Sequence, residues 1–252
     1  MKYKYETKYV DSVEAFLVAV AKGYCVIRIP ARFNVALVEA LRKEKAKSPE
    51  YLFAYASCLN GLLPTLFRKK DAFEICDKLA QQDFVKGYLG LGYCYLNAVG
   101  VEKNEDMAAK WFKKAANQGD AIAMHFLGMM AHEKRDYEQA IPWYKSAVAL
   151  GHGGAVISLS LCYQDGKGVP CDPKQSFELV QELANKGDDA GEYWLGIKYK
   201  RGDGVEASRN HAIYWLLRSA AKGNKHAADQ LHNSFSPDTV LSRVKIKKPE
   251  DA

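Results

Sequence analysis

The chain of 252 residues lacks an apolar run that could cross a bilayer. Its longest such stretches, for example "AFLVAVA" at residues 15–21, fall far short of the ~20 residues a spanning helix needs. The first residues also read as a poor secretory leader. Residues 1–10, "MKYKYETKYV", are charged and run into Asp11 and Glu14 with no apolar core and no small-residue cleavage site. A cytoplasmic location without a membrane span is therefore expected. Catalytic signatures are equally scarce. There is no Gly-x-Ser-x-Gly elbow, no His-Glu-x-x-His helix and no paired Cys/His spacing of the kind that holds zinc. These absences predict no catalytic residues, no metal and no cofactor. Six cysteines (Cys25, Cys58, Cys76, Cys94, Cys162, Cys171) are present, most of them inside apolar helical patterns, and are expected to be reduced packing residues. Excess charge is also thin where it would matter for nucleic acid. Of the net +6, residues 1–50 carry +4, from ten Lys/Arg against six Asp/Glu, and residues 236–252 carry +1, from four against three. The long middle keeps only +1, which argues against a phosphate-binding footprint.

What the chain does have is self-similarity. Trp111, Trp143 and Trp215 are separated by 32 and then 72 residues, and Gly119, Gly151, Gly187 and Gly223 by 32, 36 and 36. The segments ending at those glycines read "AAKWFKKAANQG", "AIPWYKSAVALG", "SFELVQELANKG" and "AIYWLLRSAAKG". Upstream of each lies a second apolar pattern in which Gly92, Gly128, Ser160 and Gly196 are equivalent, each preceded by leucine. Tyr88, Leu91, Gly92 and Tyr95 form an i, i+3, i+4, i+7 stripe, as do Ala108, Trp111, Phe112 and Ala115. Each unit is thus two helices, closed by a glycine suited to the left-handed residue after a helix end. One apolar stripe per helix cannot be buried by a single unit, so the units must stack. The fold class predicted is all-α, an α-α superhelix of stacked helical hairpins.

Four clear repeats occupy residues 84–119, 120–151, 152–187 and 188–223, with a closing helix over 224–235. Residues 51–83 read as a fifth, degenerate unit, in which Phe73, Ile75, Cys76, Leu79 and Ala80 take second-helix positions. The solenoid then spans 51–235. Residues 1–50 fall outside the period and read as a capping region, two helices around the strand-like "YCVIRIP" at residues 24–30. Residues 236–252 read as a flexible basic tail.

The recurrent positions resemble the Sel-one-like repeat, a relative of the tetratricopeptide repeat with a longer glycine-bearing loop between its helices. The likeness covers residues 84–228 well and 51–83 weakly. It implies a right-handed superhelix that binds proteins on the concave, first-helix surface, with no shared catalytic residues. One unit departs from the pattern: "HEKRDYEQAI" at residues 132–141 lacks the glycine loop and is four residues shorter.

The loop "YQDGKGVPCDP" at residues 163–173 looks in isolation like a phosphate cradle or a metal site. Its counterparts "NAVGVEKNE" and "RGDGVEASR" align Gly168 with Gly100 and Gly204, but Lys167 with Val99 and Asp203. Cys171 aligns with Lys103 and Ala207. The recurrent glycine has a backbone reason, and the lysine and cysteine are local variation. His125 and His132, seven residues apart on one helix face, make a poor acid–base or metal pair by themselves.

By the repeat register, Lys86, Tyr93, Asn97, His125, Met129, Glu133, Ile157, Gln164, Asp165, Tyr193, Lys200 and Arg201 project from first helices toward the groove. Their mixture of aromatic, sulfur-bearing and charged side chains suits a protein partner. The expectation is a non-enzymatic protein-interaction adaptor, with a bacterial immunity protein that neutralises a secreted toxin as one specific form. The alternatives are a hydrolase of cell-wall-type substrates and a regulatory subunit of an envelope or signalling complex.

Overall fold

In a computed structural model of the protein, residues 4–9, 24–28, 40 and 69–235 are described. The helical hairpins begin where short polar side chains reach back to free amides. The side chains of Asn104, Asp120, Asp172, Asp188, Ser208 and Asn224 each accept from the backbone N–H three residues on, at helix starts along the chain. The helices end with equal regularity. Gly119, Gly151, Gly187 and Gly223 all adopt φ between 83° and 89°, the left-handed turn inferred from their spacing. At the degenerate unit the same place is taken by Asp83 with φ 56°, a residue type that tolerates this region better than most.

Two compact units are distinguished. The first holds residues 1–134 and 149–152, the second residues 135–148 and 153–252. In the first unit, strands β1 (Lys4–Tyr9) and β2 (Tyr24–Arg28) pair in parallel, with Thr7 opposite Val26 and Lys8 opposite Ile27. Four helices follow: α1 (Lys69–Gln81), α2 (Val85–Asn97), α3 (Glu105–Asn117) and α4 (Ala121–Glu133). The second unit contains α5 (Tyr137–Ala149) up to Val148, α6 (Gly153–Asp165), α7 (Pro173–Asn185), α8 (Asp189–Arg201), α9 (Arg209–Ala221) and α10 (Lys225–Ser234). The repeats are all-helical, and the short parallel pair lies ahead of them in the chain. The two helices expected within residues 1–50, the first helix of the degenerate repeat and the basic tail fall outside the described residues.

Small residues let the hairpins close. A Cβ on Gly92 would lie 2.5 Å from the Phe112 ring, and one on Gly196 would lie 2.8 Å from Leu216, so first and second helices touch through glycine. At the Gly92 position the third repeat has Ser160, whose carbonyl accepts from Ser176 Oγ at 2.6 Å. The core of the first unit includes Cys76, Leu79, Leu91, Cys94 and Phe112, with Phe112 stacked on Phe126 at 4.8 Å. That of the second gathers Val180, Leu195, Ile213, Trp215 and Leu216. The aromatic residues therefore pack as the period predicts, with Trp111 and Trp143 at its half-buried margin.

The glycine loops sit against the preceding second helix. Gly168 (φ 71°) places its Cα so that a Cβ would meet the Tyr137 carbonyl oxygen at 2.7 Å, and Gly204 (φ 78°) so that one would meet that of Pro173 at 1.9 Å. Close backbone approach thus adds to the turn requirement. Lys167 turns back on Asp165 at 2.8 Å, while exposed Cys171 donates to the Gln164 carbonyl.

Candidate functional site

First-helix residues at three register positions define the candidate surface: 89, 93 and 97 in the first full repeat, then their counterparts 36, 68 and 104 residues on. Being four apart, they share one face of each helix. The last position is exposed in every repeat and holds Asn97, Glu133, Asp165 and Arg201.

In the first unit the middle position carries Tyr93 and Met129, 37% and 36% exposed. Together with Leu150 they are the large hydrophobic side chains exposed among the described residues. Tyr93 stands edge-on to half-buried Phe126 at 6.3 Å, so the aromatic platform has depth as well as area. Asn97 Nδ2 donates to the Tyr93 carbonyl at 3.1 Å, holding the end of α2 beside it. His125 lies one turn before Met129 and is half-buried.

Lys86 departs from the sequence reading. Expected on the open face, it is 3% exposed, its ammonium 2.5 Å from Asp120 Oδ2. Asp120 also caps α4 through Oδ1 at 2.8 Å, so one carboxylate serves a helix start and a buried cation. Charge pairing drew the lysine inward, and it is withdrawn from the surface.

Histidine pairing also differs from the sequence pattern. His125 lies against His152, ring centroids 4.8 Å apart, a pair the seven-residue spacing of His125 and His132 did not raise. Burial pulls both imidazoles down to about 4, with His152 adding to the effect on His125. At His152 the nearby Asp120 opposes that fall and Lys86 reinforces it. Nothing in the spacing of residues 125 and 152 signalled this pair, because His152 belongs to the turn after a repeat.

In the second unit the face is less open. Ile157, Gln164 and Tyr193 are half-buried, whereas Asp165, Lys200 and Arg201 are exposed. Tyr193 packs against Trp194 at 5.6 Å and His226 at 6.2 Å. Gln164 is engaged at both ends: Nε2 donates to Asp203 at 3.2 Å and Oε1 accepts from Lys198 at 3.0 Å. Lys200 reaches Gln230 at 3.0 Å and Ser234 at 2.7 Å. Much of the polar chemistry predicted for partners is thus spent between repeats.

Lys198 and Glu192 are among the buried charges that escaped sequence reading. Lys198, 2% exposed, donates to Ser176 Oγ at 2.7 Å as well as to Gln164. Burial lowers its affinity for the proton, Asp203 counters this and Arg201 adds to it. Glu192, fully buried, is held by Lys222 at 2.7 Å and Arg218 at 2.8 Å. Arg218 also covers Trp215, 5.0 Å from the ring. Each sits where other repeats place apolar side chains or tyrosine: Cys94, Met130 and Cys162 for Lys198; Tyr88, Met124 and Val156 for Glu192. A charge at a core register was the available signal. Among the described residues, no three His, Cys, Asp or Glu side chains are grouped to hold a metal ion, and no helix is long and apolar enough to cross a membrane.

The family profile "Sel1 repeat" matches residues 85–120, 121–152, 155–188 and 189–224, more than half of the chain. The chain belongs to the Sel1 repeat family. A crystal structure of a Sel1 repeat protein from Oxalobacter formigenes superposes with a TM-score of 0.67 at 25% identity, covering 91% of this chain and 92% of that one. The immunity protein Pa5087 from Pseudomonas aeruginosa matches in fold, with a TM-score of 0.58 at 18% identity over 77% of this chain and 75% of that one. Among curated relatives, the Sel1-repeat-containing protein YjcO of Escherichia coli is 27% identical over 124 residues, 46% of this chain and 54% of YjcO. The match to the putative sel1-like repeat-containing protein L21 of Acanthamoeba polyphaga mimivirus is 28% identical over 127 residues, 50% of this chain but 22% of L21. The matched region is thus a small part of some relatives and about half of others. Sel1 repeats mediate protein–protein interaction, and membership of the family points to protein partners for this chain.

Proposed function

We propose that this protein is a non-enzymatic, cytoplasmic adaptor that captures a protein partner on the first-helix face of its repeats. The observation that carries the reading is the exposure of Tyr93 and Met129 at equivalent positions of successive first helices, bordered by Asn97 and Glu133. Solvent-exposed aromatic and methionine side chains set within a polar rim are the composition of a protein-binding surface. Asp165 and Arg201 offer exposed charges at the corresponding position of the second unit's first helices.

A more specific form of this reading is an immunity role, in which the chain occupies and silences a toxin. The likeness in fold to Pa5087, and to the immunity protein PA5088 from Pseudomonas aeruginosa, supports it. The test has two arms. A photo-crosslinking residue at Tyr93, compared with one at exposed Lys113 on α3, should join a distinct partner only from the first-helix position. Tyr93→Ala combined with Met129→Ala should then weaken capture of that purified partner about tenfold or more while leaving the melting temperature nearly unchanged. Equal crosslinking from both faces, or unchanged capture by the double variant, would dismiss this surface. If the captured partner is toxic on its own and co-expression of this chain restores growth, the immunity form stands; a partner without toxicity removes it.

A further inference from the structure

The cores of the repeats differ at one inter-helix position, and the difference is chemical. The register of Cys76 on α1 is filled in later repeats by Phe112, Tyr144, Val180 and Leu216; that of Cys94 on α2 is filled by Met130, Cys162 and Lys198. The interface of α1 with α2 is where two cysteines meet. Both are buried, 1% and 0% exposed, and the Cys76 thiol is within hydrogen-bonding reach of Cys94. The two helices also approach closely at the Gly87 end of this interface. A Cβ on Gly87 of α2 would lie 2.4 Å from the backbone nitrogen of Ala80 on α1, so the backbones cross in direct contact. A disulfide requires such an approach, with Cα atoms usually about 4.4–6.8 Å apart.

We propose that Cys76 and Cys94 form an oxidisable pair that ties α1 to α2. The oxidant class is a low-molecular-weight disulfide such as glutathione disulfide. The Cys94 thiolate, its proton released to water, attacks one sulfur of glutathione disulfide and expels a glutathione thiolate. The Cys76 thiolate then attacks the protein-side sulfur of the mixed disulfide, expelling the second glutathione thiolate. Two cysteine thiols are oxidised to one disulfide, and one glutathione disulfide is reduced to two glutathiones, which take up the two protons released.

Reaction in the folded protein waits on local opening of α1 from α2, because neither sulfur is exposed. Contact with the Cys94 thiol, with burial adding to it, holds the Cys76 thiol in its protonated form and slows it further. The pair therefore answers sustained oxidation rather than a brief pulse. Exposed Cys171, whose sulfur donates to the Gln164 carbonyl, should instead take up a single glutathione.

The test uses the full chain carrying Cys171→Ser. One arm exposes the folded protein to glutathione disulfide; the other refolds it from denaturant in a glutathione redox buffer, where access is no obstacle. Expected are a mass lower by two hydrogens, a proteolytic fragment pair joined through Cys76 and Cys94, and α1 amides exchanging roughly 10- to 100-fold more slowly than in the dithiothreitol-treated protein. Cys94→Ser should fold, show no bridge and lose the redox dependence of exchange. The proposal is overturned if both arms leave Cys76 and Cys94 open to alkylation, if either is joined to Cys25 or Cys58 instead, or if the bridge forms without slowing exchange in α1.

Discussion

The ammonium of Lys198 donates across 2.7 Å to the hydroxyl of Ser176, which donates in turn to the carbonyl of Ser160 at 2.6 Å. A cation with 2% exposure is thereby satisfied by neutral oxygens, with Gln164 as the second acceptor. Removing one acceptor should cost more than removing the whole arrangement. Ser176→Ala is expected to destabilise the second unit by about 1–3 kcal/mol. Adding Lys198→Met should recover most of that loss, because Ala108 and Met130 already occupy the two register positions at an earlier junction between repeats. Urea unfolding of the two single variants and the double variant measures the coupling directly. An additive cycle would mean that the bond contributes nothing of its own.

The His125–His152 pair makes the first unit sensitive to acid. Both folded-state values sit near 4, below the ordinary 6.5, so the unfolded chain binds these protons more readily than the folded one. Their stabilising effect is complete above pH 6.5 and is lost as the pH falls from there toward 4. The groups facing the pair include Lys86 and Asp120 as well as the two rings. Across that window the first unit should lose on the order of 2–4 kcal/mol, with the two rings coupled. Urea midpoints at several pH values, compared between the parent and a His125→Phe, His152→Asn variant, should show a flatter slope in the variant. Equal slopes would assign the acid sensitivity to other groups.

Glycines in this chain act by two separable physical effects. Gly223 has φ 89° and open space around an added Cβ, so Gly223→Ala meets only the backbone penalty, about 1 kcal/mol. Gly204 has a similar φ of 78°, but a Cβ there would be 1.9 Å from the Pro173 carbonyl oxygen. Gly204→Ala should therefore cost roughly 3 kcal/mol or more. Thermal melts of both variants, which lie in the same unit, check the contrast; equal losses would mean that the loop shifts to make room.

The helical period was legible because it rests on many weak constraints repeated at one spacing, and the glycines at that spacing adopt the left-handed turn expected of them. Asp83 shows how far the register reaches: the period landed on it, and it adopts the left-handed turn without being glycine. Tyr88 and Gln118 both donate to its carboxylate, and these bonds lower its proton affinity, Tyr88 above all. Strand β1 was missed although Tyr3, Tyr5, Thr7 and Tyr9 alternate with Lys4, Glu6 and Lys8 at a period of two, the available signal. The candidate surface was legible only in part. Register says which residues share a face, but not which of them another repeat will bind. Gln164 was engaged, and Lys86 buried, through partners 34 to 39 residues away, a distance at which one sequence carries no pairing information.

Lys86 and Asp120 offer the sharpest test of that inward pull. Neutralising the lysine alone with Lys86→Met strands a carboxylate with 1% exposure, and breaking such a buried pair costs about 3–5 kcal/mol. Asp120→Asn in the same molecule removes the stranded charge but keeps a side chain able to cap α4, as Asn104 and Asn224 do at other helix starts. The double variant should therefore regain at least half of the lost stability, while Asp120→Ala added to Lys86→Met should regain less by about 1 kcal/mol, the worth of the cap. Denaturant unfolding of the three variants separates charge from capping. If the asparagine and alanine forms proved equally stable, Asp120 would matter to the first unit only as the counter-ion of Lys86.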